Sequence, residues 1–220
     1  MPNVVNICAG PYGRLYDFGI ERPQVAQLIG QLVWGIDLAP LYASMAAIGE
    51  LPDGATVLDV PCGGGVALRA LRPGQRVRWI AVDLDPKMLE RCGRRAAERG
   101  LDPSSVELLE DDMQALSLPD ACADLCVSYS GLHMVGDPVA AIGQMARCLK
   151  PGGELVGSTL LRAGSWRHRL VLGGGMWTGL TGRLLSAAEL RAALADAGID
   201  DPTVSPERGM TVFRGRRRAS

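Results

Sequence analysis

Thr56-Val57-Leu58-Asp59-Val60-Pro61-Cys62-Gly63-Gly64-Gly65 is the stretch on which the fold turns. Residues 56–60 read as a short buried strand, and the proline and three glycines after them end it in a tight turn. A short helix follows through Leu71, and Arg72-Pro73-Gly74 stops it. Glycines in the turn let the backbone bend sharply and approach a ligand with no Cβ in the way. Taken alone, the turn is equally a plain strand-to-helix connection.

Working outward, the same alternation continues. Residues 77–83 form a second strand, and Asp85-Pro86 places a carboxylate cap before a proline at the first helical position. Met88, Cys92 and Ala96 recur every four residues on that helix, and Gly100 closes it. Residues 106–109 and 124–130 are a third and a fourth strand. Asp137-Pro138 repeats the cap, with Val139, Ile142, Met145, Ala146 and Leu149 as the apolar stripe. Lys150-Pro151-Gly152-Gly153 turns into a fifth strand, 154–160. Ser186 and Glu189 make a capping box that opens a helix with Leu190, Ala193, Leu194 and Ala197 inward and Gly198 as terminator. Short strands near Thr203 and over 211–214 finish the chain. Strands separated by helices of this length imply parallel pairing through crossovers. The expected fold is an α/β doubly wound sheet, with ligands beyond the carboxyl ends of its strands at the switch point.

The residues at those ends suggest a nucleoside cofactor. Asp83 ends the second strand, 24 residues after Asp59, where an acid can accept hydrogen bonds from both ribose hydroxyls. A dinucleotide fingerprint wants a third glycine where Leu68 stands, and Asp59 would repel a pyrophosphate. A carboxylate there suits a ligand with an ammonium and a sulfonium, as in S-adenosylmethionine. A nucleotide-sugar or nicotinamide enzyme on a related fold stays as the competing enzyme reading.

These residues resemble class I S-adenosylmethionine-dependent methyltransferases. Residues 57–65 look like the first motif, with Pro-Cys-Gly as a familiar variant, and Ala81-Val82-Asp83-Leu84-Asp85-Pro86-Lys87-Met88-Leu89 looks like the second. Asp111-Asp112-Met113 and the run to Leu118-Pro119 resemble the third, with Asp111 in place of the usual glycine. Residues 123–130 resemble the fourth-strand motif, and 149–155 the turn into the fifth strand. The resemblance covers about residues 54–160 and is closest to the small-molecule group that includes the quinone-biosynthesis methyltransferases. It implies a Rossmann-like, mainly parallel seven-stranded sheet with the last strand antiparallel. It also implies a cofactor site made by Asp59, Pro61, Cys62, Gly63 and Gly65, by Asp83, Leu84 and Met88, by Asp112 and Met113 at the adenine edge, and by Ser128.

Methyl transfer from a sulfonium asks mainly for orientation, which can supply roughly 7–11 kcal/mol in favourable intramolecular models. A base is needed only where the acceptor keeps its proton at neutral pH. His133, after the fourth strand, has a suitable ordinary pKa, and the alternative is a structural hydrogen-bonding histidine. His168, Tyr16 and Tyr12 are the other candidates, followed by Asp17. The acceptor pocket is expected from parts outside the shared motifs. One is an N-terminal helical cap over 1–53, where Val25, Leu28, Ile29, Leu32, Val33 and Ile36 share a helical face. The other is a lid-like insertion near 161–185 in the core that spans 54–220, with Trp166, Met176 and Trp177 around Gly173-Gly174-Gly175. Apolar walls favour an apolar or aromatic small-molecule acceptor.

Composition bounds the rest. The chain has 220 residues, 47% hydrophobic, with a formal net charge of −1, so no global field recruits nucleic acid or an anionic membrane. No targeting segment or spanning helix is expected. Arg214, Arg216, Arg217 and Arg218 read as a solvated strand end, with a phosphate- or acid-contacting tail as the alternative. Six scattered cysteines and two histidines offer neither a disulfide framework nor a zinc site, so no metal is expected. Most of the cysteines read as small buried residues in a reducing cytoplasm. Lysine occurs only at 87 and 150 among 23 basic residues, which suggests a GC-rich bacterial genome. A homodimer is compatible with the sequence. The competing non-enzyme reading is a methyltransferase-like regulatory protein that binds the cofactor without turnover.

Overall fold

The computed structural model describes residues 38–162, 182–205 and 210–219. Two short helices, α1 (Ala39–Ser44) and α2 (Ala46–Glu50), lead into a seven-stranded sheet. The strands are β1 (Thr56–Asp59), β2 (Arg78–Asp83), β3 (Val106–Glu110), β4 (Ala123–Tyr129), β5 (Leu149–Thr159), β6 (Ile199–Ser205) and β7 (Thr211–Arg217), in the order β3-β2-β1-β4-β5-β7-β6. The first five pair in parallel; β7 runs antiparallel between β5 and β6. The chain's direction across the sheet reverses between β1 and β4, and the crevice there opens beside the loops that follow these two strands. This is the mainly parallel Rossmann-like sheet that the sequence motifs imply. Of the N-terminal cap, only residues 38–53 are described, and Val25 to Ile36 lie outside the described residues.

Alternation along each strand builds a core on both faces of the sheet. Val57, Trp79, Ala81, Leu125 and Val127 face α1, α2 and α3 (Pro86–Glu98), while Leu58, Ile80, Val82, Cys126 and Leu155 face α4 (Pro138–Cys148) and α5 (Ala187–Asp196). The helix starts are local chemistry. Asp85 accepts from the Lys87 N–H at 2.9 Å, and Asp137 accepts from Val139 and Ala140 at 3.1 Å each, both ahead of a proline. The Ser186–Glu189 capping box is complete in both directions. Such caps stabilise a helix by about 1 kcal/mol each.

Three expectations shift by a step. The buried stripe of α3 is Leu89, Cys92 and Ala96; Met88 is half-buried at its edge. Spacings of three and seven follow the 3.6-residue turn better than a strict four. On α4, Val139 is 41% exposed, and Leu149 already belongs to β5. β5 begins there because Ala123 pairs with Leu149 and Leu125 next pairs with Glu154, so Lys150 to Gly153 bulge out of the ladder.

Candidate functional site

The loop after β1 is built to leave room. Val60 N–H donates to Val127 O and Cys62 N–H to Val82 O, so the backbone stays tied to both neighbouring strands beyond the end of β1. Gly63 and Gly65 have φ of +49° and +77°. A Cβ on Gly65 would lie 2.9 Å from Leu68 Cδ1 and 3.0 Å from Cys92 Sγ, so this glycine lets the loop sit on α3. A Cβ on Gly63 would meet nothing within 4 Å, leaving open space beside the backbone. Cys62 is buried, its thiol donating to Gly63 O at 3.3 Å; the neighbouring Cys92 thiol and burial push its pKa up, so it stays protonated.

Two carboxylates flank that space. Asp83 is braced by backbone donors: Gly63 N–H to Oδ2 at 2.8 Å and Asp85 N–H to Oδ1 at 3.0 Å. Burial raises its pKa, and these N–H groups pull it back down. Asp59 is 2% exposed, and its Oδ2 has no hydrogen-bond partner. Burial raises its pKa well above the carboxyl range, Cys92 and Asp83 add to the rise, and the Trp79 indole offsets part of it. That indole Nε1 is itself buried without a well-formed hydrogen bond. A buried acceptor left unmatched costs about 1–3 kcal/mol, so the site holds an acceptor waiting for a donor.

The third acid sits on the loop after β3. Asp111 does not adopt the left-handed backbone that would require glycine. Its carboxylate instead shapes the turn, accepting from Asp112 N–H, Ser117 N–H and the Ser117 hydroxyl at 2.7–2.9 Å. Asp111 N–H donates to Asp83 O, which joins this loop to the end of β2. Asp112 accepts from Gln114 N–H and from its side-chain amide, and the Gln114 carbonyl accepts from Asp137 N–H at 2.7 Å. Met113 is buried in the core. Leu84 is half-exposed next to Asp83, and Met88 is half-buried on the first turn of α3.

The loop after β4 closes the crevice. Ser128 is fully buried, with an unpartnered hydroxyl. Ser130 carries a left-handed φ of +61°, an uncommon conformation for a residue with a Cβ. Gly131 packs directly on the turn after β1, since a Cβ there would lie 2.1 Å from Pro61 Cδ. His133 is 8% exposed; its Nδ1 accepts from Leu160 N–H at 3.3 Å, and Thr159 Oγ1 stands 3.4 Å away. Accepting at Nδ1 places the ring proton on Nε2, and burial lowers the ring's pKa to about 4.

Asp59, Pro61, Gly63, Gly65, Asp83 and Asp112 thus come together at the carboxyl ends of the strands, while His168, Tyr16, Tyr12 and Asp17 lie outside the described residues. Sequence reading missed Trp79, Gln114, Ser130 and Gly131. Gln114, three residues beyond Asp111, was findable as a loop anchor; nothing local marks the other three. Two cavities of about 510 Å³ lie elsewhere. One is bordered by Tyr42, Met45 and Arg69, whose guanidinium sits 4.9 Å over the Tyr42 ring; the other by Asp53, Asp124 and Lys150 beside the amino ends of the central strands β1 and β4. Among the described residues, no group of three or more His, Cys, Asp or Glu could hold a metal ion, and no helix is long and apolar enough to cross a membrane.

Comparison with known proteins gives the arrangement a family context. Residues 57–153 match the model of a methyltransferase domain. An uncharacterized protein of Mycobacterium tuberculosis is 34% identical over 119 residues, 54% of this chain and 42% of the relative. The chain therefore spans about two fifths of the length of that relative. A ubiquinone biosynthesis O-methyltransferase of Xanthomonas axonopodis is 32% identical over 182 residues, 76% of this chain and 71% of the relative. Among solved structures, a SAM-dependent methyltransferase from Thermotoga maritima has a TM-score of 0.61 at 22% identity, covering 81% of this chain and 89% of its own, a likeness of fold.

Proposed function

The chain belongs to the class I S-adenosylmethionine-dependent methyltransferases, and from that membership we propose that it methylates a small-molecule acceptor with an apolar or aromatic body. The residues present fit the cofactor: the open space beside Gly63, the braced Asp83 carboxylate and the unmatched Asp59 Oδ2 offer room, two acceptors for ribose hydroxyls and an acceptor for an ammonium. Asp112 and Met113 are assigned to the adenine edge, Leu84 and Met88 to apolar contact with the nucleoside, and Ser128 to the methionine side. When bound, S-adenosylmethionine supplies a methyl group already activated on a sulfonium.

The chain's own contribution is to hold, align and keep dry. Asp83 carries the assignment, because its two oxygens are already aimed by Gly63 and Asp85 and retain lone pairs for a diol. The apolar acceptor is supported by the likeness to a ubiquinone biosynthesis O-methyltransferase and by Trp166, Met176 and Trp177 in the chain. A hydroxyl acceptor also needs a destination for its proton. His133 is neutral at pH 7 and uses its Nδ1 lone pair internally, so that role falls to His168, Tyr16 or water.

Calorimetric titration with S-adenosylmethionine, with NADH as control, tests the assignment on wild type and Asp83→Ala. Wild type should bind S-adenosylmethionine, and Asp83→Ala should bind at least about tenfold more weakly, since a hydrogen bond to a charged group is worth about 1.5–3 kcal/mol. Binding of NADH by the wild type, or no binding by the folded protein, would overturn it.

A further inference from the structure

His133 touches the chain on both sides of residues 163–181. Ahead of them, Leu160 N–H donates to its Nδ1 at 3.3 Å; after them, Gly182 N–H donates to its carbonyl oxygen at 2.8 Å. The neighbouring contacts reinforce both ends. Arg183 N–H donates to Val135 O at 3.1 Å, and Arg162 N–H donates to Leu185 O at 2.9 Å, drawing the two flanks together. Gly182 lies so close that a Cβ on it would stand 2.0 Å from Val135 O. Two residues before His133, Gly131 rests on Pro61 of the loop after β1. One short stretch therefore contacts the cofactor-side turn at one end and both flanks of the 163–181 segment at the other.

We propose that His133 is a positioning residue, whose ring nitrogen and carbonyl fasten Leu160 and Gly182 to the end of β4 and so fix the chain beside the loop after β1, where the cofactor is proposed to bind. The last clause rests on the methyltransferase assignment; the hydrogen bonds do not. A base at this position would need a free ring lone pair, whereas here one nitrogen accepts from the backbone and the other carries the proton. The ring's desolvation keeps it neutral and the acceptor intact across the physiological range.

The test uses the full chain. It contains only two histidines, His133 and His168, so ¹⁵N-histidine labelling with His168→Gln for assignment isolates the His133 ring. At pH 7 its spectrum should show a neutral ring protonated at Nε2; protonation at Nδ1, or a charged ring, would overturn the proposal. The second readout is tryptic cleavage after Arg167 and Arg169. His133→Phe removes the acceptor and should speed cleavage roughly fivefold, the scale of one lost hydrogen bond, while His133→Asn keeps an oxygen near the Nδ1 position and should stay close to wild type. Equal cleavage in all three proteins, or equal loosening in Phe and Asn, would also overturn it. If His133→Phe fails to fold, the spectrum and His133→Asn decide. Titration of the same samples with S-adenosylmethionine reads the cofactor assignment separately: absence of binding in wild type would overturn that assignment and leave the protonation state of the His133 ring, and what it means for the flanks, unaffected.

Discussion

Asp59 shows how a residue proposed to hold the cofactor can work against the fold that carries it. Its folded pKa is raised because the carboxylate is buried with one oxygen unmatched. A raised folded value means that the unfolded chain releases this proton first. The stability Asp59 contributes is therefore whole below its ordinary value of 3.8 and is lost as pH rises through the folded value. At pH 7 the protein without cofactor bears this cost, and an ammonium placed against Oδ2 would relieve it. Asp59→Asn should accordingly raise the stability of the cofactor-free protein at pH 7 by about 1–3 kcal/mol, flatten its pH dependence above pH 4, and weaken cofactor binding. Thermal melts between pH 4 and pH 8, with and without S-adenosylmethionine, check all three. A variant that is less stable at every pH would show that the carboxylate is satisfied in the folded state.

At the scale of elements, the site depends on how closely two loops approach. Gly131 has an ordinary φ of −93°, so its backbone does not require glycine; only the space does, since Pro61 fills the place of a side chain. Gly131→Ala should push the turn after β1 away from the end of β4, cost about 1–3 kcal/mol of stability as overpacking does, and weaken cofactor binding with it. Gly143, inside α4, has open space around it. Gly143→Ala should therefore stabilise the protein by about 0.5–1 kcal/mol through helix propensity and leave cofactor binding unchanged. Denaturant unfolding and calorimetry on the two variants separate crowding from conformational preference. Equal effects would mean that the Gly131–Pro61 contact does not shape the site.

Across the whole molecule, the C-terminal arginines belong to the sheet. Arg214 pairs with Glu154, Arg218 with Asp200 at 3.0 Å, and Arg217 reaches from the end of β7 to the carbonyls of Arg147 and Leu149 at the junction of α4 and β5. Arg147 in turn holds the 116–120 loop through the carbonyls of Leu116 and Leu118 and the carboxylate of Asp120. The antiparallel end of the sheet is thereby fastened to its parallel part. Arg217→Ala should lower unfolding free energy by about 1.5–3 kcal/mol, the range for hydrogen bonds from a charged donor, whereas Arg76→Ala, at a pair whose arginine is 85% exposed, should change little. A scan of both variants by chemical denaturation distinguishes the two, and a silent Arg217→Ala would make these bonds ornamental to stability.

The sequence by itself determined the alternating elements, the capped helix starts at Asp85, Asp137 and Ser186, and the acids at Asp59, Asp83 and Asp112. Each of these is written within a few neighbouring residues, where strand alternation, cap chemistry and turn-forming glycines act locally. It erred by one position on Met88, because a period of four approximates 3.6 only over a short stretch, and on Val139, which stands just off the face that buries Pro138, Ala141 and Ile142. Tertiary structure alone decided that Gly131 seats against Pro61, that Trp79 lies beside Asp59, and that His133 meets Leu160 and Gly182. Those contacts join residues tens of positions apart, brought together by strand order and register, and no local preference encodes which distant backbone will occupy a given lone pair.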